Sequence, residues 1–132
     1  MEFIKHLKNE WDTEPMRKAY LSCGLTQFDL PQRSKAIAFK NGLNFSIQGS
    51  FGHYCRPRKT LPYDQYESME FALCTNNGFA DVKEFLDTTE YDDYFDGYVY
   101  GYVPVEMIER LYQALKAKYG LLERWRQWPN IT

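Results

Sequence analysis

The chain has little of what most membrane, secretory or catalytic signatures require. It holds no run near the roughly 20 apolar residues that span a bilayer. Its opening, MEFIKHLKNEW, lacks the apolar stretch and cleavage site of a secretory leader. Cysteine occurs three times, at Cys23, Cys55 and Cys74. An odd number of thiols without repeated spacing argues against a disulfide framework and points to reduced cysteines in a cytoplasm. The formal charge of -2 argues against direct nucleic-acid binding, which usually shows a basic excess, and is too small for the acidity of a DNA mimic. Glycine-rich phosphate loops and Gly-x-Ser-x-Gly elbows are missing.

Metal and nucleophile signals are equally sparse. His53 and Cys55 are too close in sequence to form half of a zinc site alone, and no second Cys/His cluster accompanies them. Asp92, Asp93 and Asp96 lack the spaced oxygens and the glycine of an EF-hand loop. A cysteine nucleophile needs a base held within reach, and buried, inert thiols are expected instead. No catalytic set, cofactor or metal is expected.

What is present is aromatic: eleven Tyr, nine Phe and three Trp among 132 residues. Tyrosine couples an apolar ring to a polar tip and suits surfaces that meet partners; the alternative is a small core filled with large rings. The length suits a single domain over 1–132 with one core. Charges are segregated. Arg56, Arg58 and Lys59 lie mid-chain, while Glu84, Asp87, Glu90, Asp92, Asp93 and Asp96 form an acidic run of the kind that usually makes a solvated loop.

Periodicity predicts an α+β fold. Residues 1–24 read as a helical hairpin. Phe3, Ile4, Leu7 and Trp11 share one helical face, then a second short helix follows, capped by Asp12 or Thr13, with Pro15 in its first turn and Gly24 past its end. Residues 35–103 read as an antiparallel sheet of about four strands. The Asn41-Gly42 turn puts Ile37, Phe39, Leu43, Phe45 and Ile47 on one face only if its loop has three residues. In YESMEFALCT, Met69, Phe71 and Leu73 alternate with Ser68, Glu70, Ala72 and Cys74, and Asn77-Gly78 leads into a short return strand. In GYVYGYV, alternation places Val99 and Val103 on one face and Tyr98, Tyr100 and Tyr102 on the other. A C-terminal amphipathic helix over 104–128 starts at Pro104 and packs Val105, Ile108, Leu111, Tyr112, Leu115 and Tyr119 on one face of the sheet. Gly120 interrupts it, and a last turn carries Leu122, Trp125 and Trp128, which close the core or, if exposed, anchor an interface.

The candidate site is the polar face of this sheet. Ser46, Gln48 and Ser50 lie there with Ser68, Glu70 and the tyrosines Tyr98, Tyr100 and Tyr102. Gly52, Pro57 and Pro62 end the strand, so His53, Tyr54, Arg56 and Arg58 hang over the face as a loop. Guanidinium forks and tyrosine rings suit an anionic planar ligand or an acidic protein partner. The alternative is that Arg56 and Arg58 pair with Glu67, Glu70 or the acidic run and pin the loop. His6 reads as a packing or surface residue.

Three stretches, SIQGSFGHYCRPR, YESMEF and GYVYGYVPVEMIERL, resemble a family of small phage and prophage proteins of unassigned function. That family carries Ile-Gln-Ala-Ser at a strand end, a His-Tyr-Cys-x-Pro-Arg segment, a Val-Glu-Val strand and a Tyr-Gly-Tyr/Trp-Val-Pro-Val-Glu helix start. The likeness runs from about Asn41 to Gly120. It departs at Gly49, at Met69-Glu70-Phe71 and in the N-terminal extension. The resemblance implies a phage or prophage accessory protein acting in the bacterial cytoplasm, and proteins of that type often inhibit host defences by binding. The leading expectation is therefore a non-enzymatic inhibitor of a bacterial defence component, a CRISPR effector being one candidate, with self-association left open. The alternative is a small-ligand or nucleotide-binding module built on His53, Tyr54, Arg56, Arg58 and Tyr102. A third reading is a hydrolase or nuclease with His53 and Glu70 as acid–base partners.

Overall fold

One turn sets the register of the sheet. In the computed structural model, which describes residues 1–122, Gly42 adopts φ 90. It closes a three-residue loop in which the Phe39 amide donates to the Leu43 carbonyl at 2.9 Å. Positive φ costs glycine nothing, so the loop closes without strain. Strands β1 (Ile37–Ala38) and β2 (Asn44–Gln48) then pair with Ile37 opposite Phe45, the register expected from the apolar pattern.

β3 (Ser68–Thr75) is the spine. β2 lies antiparallel along one edge, with Phe45 opposite Leu73 and Ile47 opposite Phe71. The other edge carries two short strands end to end: β4 (Gly78–Ala80) against Leu73–Thr75, and β5 (Tyr100–Pro104) against Ser68–Phe71. The sheet thus has five antiparallel strands rather than about four, because an eight-residue spine offers an edge long enough for two. Phe45, Ile47, Met69, Phe71, Leu73 and Val103 are all fully buried on one face.

Helix α2 (Val105–Tyr119) follows β5 directly. Its stripe of Val105, Ile108, Leu111, Tyr112 and Leu115 is buried in the same cluster as the apolar sheet face. Burying such a side chain contributes roughly 1.5–3 kcal/mol, so the stripe fixes α2 on the sheet. The helix ends at Gly120, which takes φ 77. Beyond it Leu121 bridges to Phe39, and the Leu122 amide donates to the Ala38 carbonyl at 2.9 Å. The expected last helical turn at Leu122 is therefore an extension along β1, an edge strand with unpaired carbonyls to satisfy. Trp125 and Trp128 lie outside the described residues.

The N-terminal helical hairpin does not form. Phe3–His6 is a single 3-10 turn, and at Leu7 the backbone turns extended (ψ 127). Phe3 and Leu7 are buried, and the turn is clamped to α2. The Phe3 amide donates to Glu109 Oε1 at 2.9 Å, Lys116 Nζ meets Glu2 at 2.7 Å, and His6 Nε2 meets the Tyr112 hydroxyl at 2.9 Å. A helix of fewer than about 12 residues is marginal without packing, and here packing selects one turn only. The second predicted helix is present as α1 (Glu14–Ser22), with Thr13 accepting from the Met16 amide, Pro15 in its first turn and Gly24 past its end at φ 88. It buries no residue.

Candidate binding face

β5 carries an irregularity that builds the site. Between Met69 and Phe71 of β3, β5 advances three residues, from Val103 to Tyr100. The extra residue is a bulge, with Tyr102 at φ 55. For a residue with a side chain this left-handed backbone costs about 1–2 kcal/mol. It is held by the Tyr102 amide donating to the Tyr54 carbonyl at 2.9 Å.

The bulge also corrects the expected alternation. Tyr100 is on the core face, 1% exposed, stacked between Phe71 at 4.4 Å and Phe95 at 4.6 Å. Its hydroxyl accepts from the Val82 amide at 2.9 Å and donates to Asp81 at 3.2 Å. Tyr98 and Tyr102 stay exposed. The inserted residue turns Tyr100 to the other face, which strict alternation cannot anticipate, while Tyr98 lies before β5 begins.

The loop after β2 is stitched onto this feature. The Arg56 amide donates to the Ser68 carbonyl at 3.1 Å, and the Glu67 amide returns to the Arg56 carbonyl at 2.8 Å. Tyr54 lies against Gly101, where an added Cβ would stand 3.1 Å from the Tyr54 Cβ. The Tyr54 ring meets Tyr102 at 5.8 Å, and the Arg58 guanidinium lies over Tyr54 at 5.3 Å while its Nε donates to the Phe51 carbonyl at 3.2 Å. The result is an exposed ladder of Arg58, Tyr54 and Tyr102.

The expectation that Arg56 and Arg58 pair with Glu67, Glu70 or the acidic run is not met. The ion pairs among the described residues are Arg17–Asp12, Lys83–Asp92, Arg110–Glu90 and Lys116–Glu2. Both arginines are exposed. Two of these pairs, at Glu90 and Asp92, tie down the acidic run itself.

His53 and Cys55 each engage Ser50 rather than one another. Ser50 Oγ accepts from the Gly52 amide at 3.0 Å and meets His53 Nδ1 at 2.7 Å. Ser50 thereby ties the His53 ring to the backbone of the turn. Burial, with Arg33 and Arg58 nearby, lowers the His53 pKa. Cys55 is buried, donates to the Ser50 carbonyl at 3.2 Å, and burial pushes its thiol up, so it stays protonated.

Beneath the loop, the polar sheet face forms a cavity of about 440 Å³ lined by residues including Arg33, Ser46, His53, Glu70, Phe79 and Val99. Glu70 is half-buried there. Burial raises its pKa, the Tyr54 amide opposes that, and Asp96 raises it further. His53 and Glu70 share this cavity, yet no ion pair within 4 Å joins them among the described residues. Of the predicted site residues, then, His53 and Glu70 line the cavity, while Tyr54, Arg58 and Tyr102 form the ladder. Arg56 is exposed beside the ladder, Tyr98 is exposed against Phe79, and Tyr100 is in the core.

Sequence reasoning passed over the segment that walls the cavity. Gln48 receives the Ser34 amide and donates to the Ser34 carbonyl, both at 2.8 Å, so a side chain replaces a strand partner. This places Arg33 and Lys35 at the cavity. Pro31 and the mixed polarity of 32–36 carry no strand signal, and only a buried glutamine at Gln48 hinted at it. A groove of about 570 Å³ beside α1, lined by Trp11, Tyr20 and Phe28 among others, is larger but contains none of the candidate residues.

Comparison with protein-family models, with curated proteins and with solved structures returns no match. Among the described residues no group of three or more His, Cys, Asp and Glu is placed to hold a metal. No helix among them is long and apolar enough to cross a membrane.

Proposed function

We propose that the protein is a non-enzymatic phage or prophage accessory protein that inhibits a bacterial defence component, a CRISPR effector being one candidate, by binding it in the host cytoplasm. The observation that carries this reading is the ladder of Arg58, Tyr54 and Tyr102. Its two tyrosines are 44% and 45% exposed, and neither Arg58 nor Arg56 beside it has an acidic partner among the described residues. Tyr and Arg are the residue types that most often anchor protein interfaces, and a rigid ring loses little entropy on docking. The ring of Tyr102 is presented on a left-handed backbone, and such strain gathers at functional sites. Guanidinium groups without an acidic partner favour an acidic surface on the target. The resemblance of SIQGSFGHYCRPR and GYVYGYVPVEMIERL to phage proteins supplies the setting.

The test is capture from a bacterial host followed by mass spectrometry, paired with a plaque assay. One defence component should be recovered, and the double variant Tyr54→Ala/Arg58→Ala should lose capture by tenfold or more while its circular dichroism is unchanged. Recovery of no such component, together with no protection of phage, refutes the reading.

A further inference from the structure

We propose that the cavity on the polar face of the sheet binds a nucleoside monophosphate, with Arg33 and Lys35 on the phosphate, the Phe79 ring against the base, and Glu70 accepting from the base N–H groups. The volume of about 440 Å³ falls within the roughly 300–1,000 Å³ of small-ligand clefts. The backbone that carries its cations is fixed. The Arg33 amide donates to Asn9 Oδ1 at 3.1 Å, the Glu10 amide donates to the Arg33 carbonyl at 2.8 Å, and Ser34 is locked to Gln48. Neither Arg33 nor Lys35 has an acidic partner among the described residues. A guanidinium on a fixed backbone offers two parallel donors to a phosphate.

The remaining lining selects for more than an anion. Glu10 and Glu70 also face the cavity, and both would oppose inorganic phosphate. A ligand carrying an oxyanion together with ring N–H donors satisfies both signs of charge. Phe79 is 55% exposed and is braced by the Tyr98 ring at 5.4 Å and 72°, which leaves a ring face for stacking. Two further polar groups converge. His53 lines the cavity with Nδ1 engaged by Ser50, and Ser46 Oγ accepts from Gln48 Nε2 at 2.9 Å, which leaves its own proton to donate. The lowered His53 pKa fits a neutral ring rather than a competing cation.

Calorimetry on the isolated protein tests this without any host partner, so its outcome is independent of the docking reading. The probes are the 5′-monophosphates of adenosine, guanosine, cytidine and uridine, with adenosine and inorganic phosphate as controls. At least one monophosphate should bind tenfold more tightly than either control. Arg33→Ala and Phe79→Ala remove exposed side chains and leave the fold intact by circular dichroism; each should weaken that binding about tenfold. The proposal is overturned if no monophosphate binds below 1 mM, if inorganic phosphate binds as tightly as the best of them, or if both variants bind like the parent.

Discussion

Adding a single methyl group at Gly49 should destabilise this protein. A Cβ there would stand 2.8 Å from both Cε2 and Cζ of Tyr66, whereas carbon atoms pack at about 3.5–4.0 Å. The ring cannot simply withdraw. Its hydroxyl donates to the Lys59 carbonyl at 2.6 Å and accepts from the Leu61 amide at 2.9 Å, while Gln32 Nε2 holds the Gly49 carbonyl at 2.8 Å. Overpacking of this kind costs about 1–3 kcal/mol. Gly49 does not sit in the left-handed region, so alanine recovers about 0.4–1 kcal/mol through the unfolded chain. The expected net loss for Gly49→Ala is about 1–2 kcal/mol. At roughly 4 °C per kcal/mol for a chain of this size, Tm should fall by about 4–8 °C. Urea denaturation of the parent, Gly49→Ala, Tyr66→Ala and the double variant gives the coupling. In the Tyr66→Ala background, Gly49→Ala should cost nothing. A Gly49→Ala protein within 0.5 kcal/mol of the parent, or an equal loss in both backgrounds, refutes the packing argument.

Two further outcomes follow from buried tyrosines and thiols. Burial pushes Tyr63 and Tyr91 up to about 12 and raises Tyr66, Tyr100 and Tyr112 further. A group raised in the folded state contributes stability in full below its unfolded value near pH 10, and loses it as pH climbs toward the folded value. Tm should therefore drop steeply above pH 10, with tyrosinate absorbance at 295 nm rising in step with unfolding. Titration of all eleven tyrosines near pH 10 in a still-folded protein would refute this. Among the thiols, exposed Cys23 should react with Ellman's reagent within the mixing time, while Cys55 waits for global unfolding. Fast native-state labelling at Cys55 by peptide mapping would show that its site opens.

How much of the candidate site could be read from the chain depends on the reach of each interaction. The burial of Cys55 was legible, though Cys23, expected to be buried too, is exposed; the loop 53–58 was legible as the segment leaving β2, because glycine and proline spacing announce a strand end. The grouping of Tyr98, Tyr100 and Tyr102 was not, since it assumed unbroken alternation through a strand that contains a bulge. Arg33 and Lys35 escaped notice for a different reason: a side chain, Gln48, stands in for the strand partner that would have given segment 32–36 a pattern.

By itself the sequence determined the turns at Gly42 and Gly78, a cap at Asp12 or Thr13, the buried faces of β2 and β3, and the apolar stripe of α2. Each depends on residues within a few positions of one another, where periodicity and φ preference act directly. Tertiary structure alone decided that β4 and β5 share one edge of β3, that Tyr100 turns inward, and that Phe3–His6 stops after one turn. It also decided that Arg58 rests on Tyr54 rather than on an acid. Those outcomes hang on bonds between distant segments, such as the Tyr102 amide on the Tyr54 carbonyl, and no local pattern carries the energy of a contact that exists only after the chain has closed.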